Sequence, residues 1–273
     1  MMCRCLRVSA SGYYDWRGRQ PSRRSEDNQR LSEMIRLLHE QSDRVMGSFR
    51  IWKDLRDAGE TCSLNRVARL MRINQLKGIP QKRRWRHKPS GERPVGVENV
   101  LERDFTATAA NTKWATDITY VDTAQGWLYL CVVLDLYSGV VVGWSMSPTQ
   151  DRHLVLQAVV MALWQREGRQ PVVLRSDRGC QFTSSEYQRF LKAHNLVCSM
   201  SRVGSYADNA AVEGFFGLLK RERVNRRNYR TQDAARSDIF DYIERFHNPR
   251  KRRTLGRSNQ EETLFSKPSV ISG

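Results

Sequence analysis

The chain has 273 residues, with 46 Lys and Arg against 29 Asp and Glu, a formal net charge of +17. That length allows one large domain or two modest ones, and 40% apolar residues with seven Trp exclude a disordered tail. The longest apolar run, Leu128 to Leu136, is far below the ~20 residues that span a bilayer, and Met1 to Ala10 is basic without an apolar core, so no membrane partner and a cytoplasmic protein are expected.

The charge excess points to a polyanion. Arginine supplies 37 of the 46 basic residues, and guanidinium forks grip phosphate oxygens two at a time. The charge is unevenly placed: residues 1–110 carry +10, residues 111–219 are neutral and residues 220–257 carry +8. A neutral core between basic flanks suits a catalytic centre held between segments that grip DNA. Six cysteines lie at 3, 5, 62, 131, 180 and 198 without a Cys-x-x-Cys pair. A zinc site from Cys3, Cys5 and His39 is the less favoured reading, and Cys131 reads as core.

In chain order, Arg24 to Gln41 places Leu31, Met34, Ile35, Leu37 and Leu38 at helical spacing. After a break at Gly47, Phe49, Ile51, Trp52 and Leu55 form a short amphipathic helix ending near Gly59. Ser63 caps a third helix with Leu64, Val67, Leu70 and Met71 inward, which leaves Arg66, Arg69 and Arg72 mostly on the other face as DNA contacts. Residues 1–77 thus read as a small all-helical domain with a helix-turn-helix-like pair, although an ordinary helical bundle fits the same pattern.

Residues 78–110 read as a basic linker, interrupted by Gly78, Pro80, Pro89, Gly91, Pro94 and Gly96. Arg83, Arg84 and Arg86 surround Trp85, an arrangement that suits either an arm tracking the DNA backbone and stacking on a base or a solvated tether. From Asn111 the period changes. Lys113–Asp122, Gly126–Tyr137 and Val140–Met146 are rich in β-branched and aromatic residues and predict three antiparallel strands. A helix (Arg152–Glu167), a strand (Pro171–Ser176), a helix (Ser184–Asn195), a strand (Leu196–Met200) and two helices (Asp208–Arg226 and Thr231–Phe246) follow. That order predicts an α/β class, a ribonuclease-H-like core at 111–226 with a mixed five-stranded sheet and flanking helices. Residues 227–273 are then a C-terminal helix and basic tail.

Three acids stand out. Asp117 lies in the first core strand among Trp114, Ile118 and Tyr120, where a buried carboxylate needs a partner or a metal. Asp177 follows the strand that ends at Ser176, and Arg178-Gly179 follows it. Glu213 lies on a helix whose apolar stripe is Val212, Phe215, Phe216 and Leu219. At 100° per residue, Glu213, Gly217 and Lys220 share the adjacent strip. Each acid alone is a weak signal. Together they fit phosphodiester chemistry with two divalent ions ~3.5–4 Å apart, which needs oxygen ligands from several elements, and Lys220 would hold a phosphate beside them.

The stretches Trp114-Ala115-Thr116-Asp117-Ile118-Thr119-Tyr120, Tyr129 to Asp135 with Val142-Gly143-Trp144, Ser176-Asp177-Arg178-Gly179 with Gln181-Phe182, and Tyr206 to Lys220 carry a resemblance. They resemble the second-reading-frame (OrfB) transposases of bacterial insertion sequences, whose core is similar to retroviral integrase. Thirty-five residues separate Asp177 from Glu213, the spacing of that D,D(35)E family. Val8 to Trp16 and Arg66 to Met71 also look like its N-terminal region. The chain departs from the family at Met46-Gly47, at Phe246-His247-Asn248 and at Ser258-Asn259.

The resemblance implies metal-dependent cleavage at element ends and strand transfer by the freed 3′ hydroxyl. Asp117, Asp177 and Glu213 would be the catalytic, metal-binding triad, taking two Mg²⁺ ions for which Mn²⁺ substitutes. Lys220 and Arg178 would contact DNA, Asn209 would orient the Glu213 helix or contact DNA, and the chain would act as a homo-oligomer on element ends and target. It further implies a frameshift fusion to an upstream reading-frame product and a bacterial, nucleoid-associated location. A structure-selective nuclease of the same fold and a non-enzymatic DNA-binding regulator are the rival readings.

Overall fold

The structure is a computed structural model. It describes residue 5 and residues 9–80, 107–166, 168, 170–176, 185–200 and 210–265. The chain divides into two compact units, Met1–Gly91 and Glu92–Gly273.

The first unit holds four described helices: α1 (Ala10–Gly18), α2 (Arg23–Gln41), α3 (Ser48–Asp57) and α4 (Leu64–Ile73). Their starts follow from capping. Ser22 accepts from the Ser25 amide and Ser63 from the Arg66 amide, each satisfying a donor that the first helical turn leaves orphaned. Leu31 and Ile35 from α2 meet Ile51 and Leu55 from α3 and Val67, Leu70 and Met71 from α4, all buried. The Asp27 carboxylate holds Arg66 at 2.7 Å and Arg30 at 2.9 Å, and both guanidinium partners keep its carboxyl below the usual range. His39 is buried with Nε2 3.1 Å from the Lys77 carbonyl, so this ring is engaged in packing the unit; Cys3, its companion in the zinc reading, lies outside the described residues.

The second unit is built on a five-stranded sheet: β1 (Lys113–Thr123), β2 (Gly126–Asp135), β3 (Val141–Ser147), β4 (Val172–Ser176) and β5 (Leu196–Met200). The order is β3-β2-β1-β4-β5, with β1–β3 antiparallel and β4 and β5 parallel to β1 and to each other. This is the ribonuclease-H-like arrangement expected from the sequence. Helices α5 (Arg152–Gln165) and α6 (Ser185–Ala193) connect the later strands, and α7 (Ala210–Glu222) and α8 (Gln232–Phe240) follow.

Helices pack on both faces, so β2 is buried from Leu130 to Leu134 rather than alternating. One cluster joins Trp114, Cys131 and Val133 to Leu154, Val155, Ala158 and Val159 of α5 and to Tyr187 and Leu191 of α6. Gly143 makes the close approach of α5 possible. A Cβ there would sit 2.1 Å from the Ala158 carbonyl oxygen and 2.7 Å from the Ala162 amide. The β2–β3 turn is tied by Asp135, whose Oδ1 accepts from both the amide and the hydroxyl of Ser138 at 2.8 Å.

The C-terminal helix differs from the single segment predicted over Thr231–Phe246. α8 gives way to a π-helical stretch, Asp241–His247, and then to α9 (Asn248–Phe265). Pro249 explains the irregularity, because its ring clashes with a carbonyl one turn back and it has no N–H to offer the ladder. The irregular stretch turns inward: His247 lies 3.0 Å from the Gly139 carbonyl, and the Asn248 amide pairs with Val141 in both directions at 2.9 Å. Trp144 donates to Glu244 at 2.8 Å and Arg236 to the Met146 carbonyl at 2.6 Å. These helices therefore line the outer edge of β3.

Candidate active site

Strand β1 places Asp117. Side chains alternate along a strand, so Trp114, Thr116 and Ile118 face the α5–α6 cluster, and Asp117, opposite Val132, faces away from it. Asp117 is half-buried, and its Oδ1 accepts the Ile118 amide at 2.8 Å.

Strand β4 lies parallel to β1, with Ala115 facing Arg175, and ends at Ser176. Asp177 is the next residue in the sequence. Asp177, Arg178 and Asn209 lie outside the described residues, as do Arg83, Arg84, Trp85 and Arg86. Among the described residues no group of three His, Cys, Asp or Glu is arranged to hold a metal ion.

Helix α7 packs on β1 and β2. Val212, Phe215, Phe216 and Leu219 are buried, whereas Glu213 and Gly217 are exposed and Lys220 is half-exposed. Glu213 is in the first described turn, where the helix dipole favours a carboxylate. The Lys220 ammonium lies 4.8 Å above the Tyr120 ring, and among the described residues no carboxylate pairs with it. Tyr120 is three residues along β1 from Asp117 and so on the other face of the strand, where Lys220 of α7 reaches it.

The rear of α7 is anchored by buried charge that the sequence reading did not single out. Glu222 accepts from the Tyr242 hydroxyl at 3.0 Å and lies 3.5 Å from Arg221. Asp238 accepts from Tyr229 at 2.6 Å and pairs with Arg223 and Arg227. Burial and the facing carboxylate push the Tyr229 phenol well above its ordinary range. Phe215 meets His247 edge-on at 4.8 Å, which ties the helix of Glu213 to the segment that lines β3. Apart from Arg221, which neighbours Glu222, these partners lie nine or more residues apart, so no local spacing signalled the contacts.

In the first unit, α4 presents Arg69 and Arg72 to solvent. Arg66 differs: it is half-buried, donating to Asn28 at 2.9 Å and to Asp27 at 2.7 Å. Its guanidinium is occupied in joining α2 to α4.

Residues 107–206 and 213–261 match two families, each described as an integrase core domain, and residues 26–84 match an HTH-like domain. The chain is 40% identical over 248 residues to the transposase InsF for insertion sequence IS3A of Escherichia coli (strain K12), covering 89% of this chain and 85% of that protein. It is 34% identical over 252 residues to an uncharacterized 31 kDa protein of insertion element IS600 from Shigella sonnei, covering 92% of each. Among solved structures, the HTLV-2 integrase catalytic core domain in complex with magnesium (dimeric form) is similar, with a TM-score of 0.39 and 20% identity over 50% of this chain and 89% of that one.

Proposed function

The chain belongs to the insertion-sequence transposases of the IS3 type, with an integrase core and an HTH-like domain, and on that premise we propose that it cuts the ends of its element and joins them to a target by attack of the freed 3′ hydroxyl. The observation that carries this reading is the meeting of three elements. β1 bears Asp117, α7 packed on it bears Glu213, and β4 beside it ends one residue before Asp177.

The donor set suits a hard divalent cation, being carboxylate oxygens. Asp117, Asp177 and Glu213 would hold two magnesium ions, with manganese as a substitute, and these would supply Lewis-acid stabilisation of charge on the phosphodiester. The chain's own residues do the rest. Lys220, on the Glu213 strip two turns on, fixes a phosphate of the strand being cut. Arg69 and Arg72, with Arg83, Arg84, Trp85, Arg86, Arg178 and Asn209, contribute sequence-independent grip on the DNA. Residues 1–77 bind DNA, 78–110 link, 111–226 catalyse and 227–273 complete the chain in this reading.

Two element ends must be handled together, so the acting species is a homo-oligomer on DNA in the cytoplasm. A frameshift fusion to an upstream reading-frame product adds the sequence preference that one small helical module lacks. Strand transfer tests the reading: with the element's own ends and magnesium, the chain should yield joined product. Cleavage without joining would indicate a nuclease, and DNA binding with neither would indicate a regulator.

A further inference from the structure

A cavity of about 390 Å³ opens beside Lys220, within the range typical of small-ligand sites. One wall is the β1–β2 hairpin, which offers Tyr120 and Trp127, 55% and 50% exposed, with ring centroids 4.8 Å apart in an edge-to-face pair. The other wall is the turn after α7, with Asn225, Arg227 and Asn228. The two walls are pinned together. The Ala124 amide donates to the Tyr229 carbonyl at 2.9 Å, the Gln232 amide to Gln125 Oε1 at 2.9 Å, and Gln232 Nε2 to the Trp127 carbonyl at 3.2 Å. Arg227 is itself anchored on Asp238. The cavity is therefore preformed.

Its chemistry is mixed in a particular way. Two large aromatic rings stay half in water, with a cation over one of them. Asp122 and the amides of Asn225 and Asn228 can meet hydrogen-bonding edges, whereas Lys220 can meet an anion. A flat ring with polar edges joined to a phosphate satisfies all of these groups, and aromatic rings flanked by cations are how proteins hold unpaired bases.

We propose that this cavity receives one unstacked base of the DNA strand handled at Glu213, its ring against Trp127 and Tyr120 and its phosphate on Lys220. The proposal rests on the reading of Glu213 as a site residue. Seven residues of helix from Glu213 to Lys220 span ~10 Å, so the captured base lies near the cut rather than at it.

The test uses the full chain and a 30-base-pair duplex carrying one extrahelical 2-aminopurine, against the same duplex fully paired, at ~0.15 M salt. The expected result is a preference of about tenfold for the bulged duplex, with quenching of the 2-aminopurine emission on binding. Trp127→Ala should remove both effects and Trp127→Phe should retain them. The Trp127 side chain is half-exposed and its pinning contact uses the backbone carbonyl, so the fold survives the change. Equal affinity for the two duplexes, or a preference that persists in both Trp127→Ala and Tyr120→Ala, overturns the proposal. A Trp127-dependent preference in a chain that cuts no DNA supports the cavity and refutes the catalytic reading, so the two fail separately.

Discussion

Replacing Asn248 by alanine should unfasten the C-terminal helices from the sheet. Asn248 and Val141 are both fully buried, and the amide donates to the Val141 carbonyl and accepts from the Val141 amide, each at 2.9 Å. The side chain thus stands in for a neighbouring strand at the β3 edge. Alanine leaves one buried donor and one buried acceptor unmet, each costing ~1–3 kcal/mol, so a loss of ~3 kcal/mol is expected. With a urea slope of about 2 kcal/mol per M, the unfolding midpoint of this unit should fall by ~1.5 M at unchanged slope. Asn248→Asp should fall at least as far, because it keeps an acceptor for the Val141 amide but offers the carbonyl no donor. The effect should reach the site, since His247 holds the Gly139 carbonyl on one side and meets Phe215, two residues from Glu213, on the other. The assay is urea unfolding by circular dichroism, with hydrogen exchange at Val141 and along α7. A loss below ~0.5 kcal/mol, the scale of an ordinary surface change, would refute the strand-mimic argument.

Gly143→Ala should cost ~1–3 kcal/mol by overpacking, because the new Cβ meets helix backbone at Ala158 and Ala162; an unchanged melting temperature would contradict that packing. Lys220→Ala should reduce strand transfer about tenfold, the scale of one lost charge-assisted contact, whereas Arg221→Ala, which loses only the pairing with buried Glu222, should act on stability; equal small losses in activity would make Lys220 an ordinary surface lysine. Acid should loosen the first unit. Asp27 and Glu60 are held below their ordinary range by Arg30 and Arg66, so their contribution is complete above the unfolded carboxylate range near pH 4 and fades as pH falls below it. The protection of amides in α2 and α4, measured against the intrinsic exchange rate at each pH, should therefore fall from pH 5 to pH 3, Arg66→Ala should blunt that fall while leaving the salt dependence of DNA binding intact, and a weakened salt dependence would return Arg66 to the phosphate contacts.

The elements whose burial is set by short-range period were legible in advance. The α7 stripe of Val212, Phe215, Phe216 and Leu219, the Ser63 cap and the three-strand meander follow from residue type and spacing; the three strands appear within two residues of the expected bounds, whereas α7 ends at Glu222, four residues before the expected Arg226. Helix α1 was not legible, because none of its residues is buried and Gly12 and two tyrosines give no apolar period. The π-helical stretch was also hidden, because the packing of His247 and Asn248 against β3 and the turn before it is not written in local spacing. Glu222, Asp238 and Asn248 are buried polar groups that local spacing did not single out; Tyr242, Tyr229 and Val141, which they hold, lie in other elements, where no local pattern can reach. Arg66 shared a helical strip with Arg69 and Arg72, but Asp27 and Asn28 draw it inward.

The central claim is that Asp117, Asp177 and Glu213 act as one metal-dependent centre. The direct measurement is cleavage and joining of the element's ends in magnesium by Asp117→Asn, Asp177→Asn and Glu213→Gln proteins, with DNA binding measured in parallel. Loss of several kcal/mol of transition-state stabilisation predicts a fall of ~10³ or more for each, with affinity for DNA nearly unchanged. Normal joining by any one of the three would contradict the site.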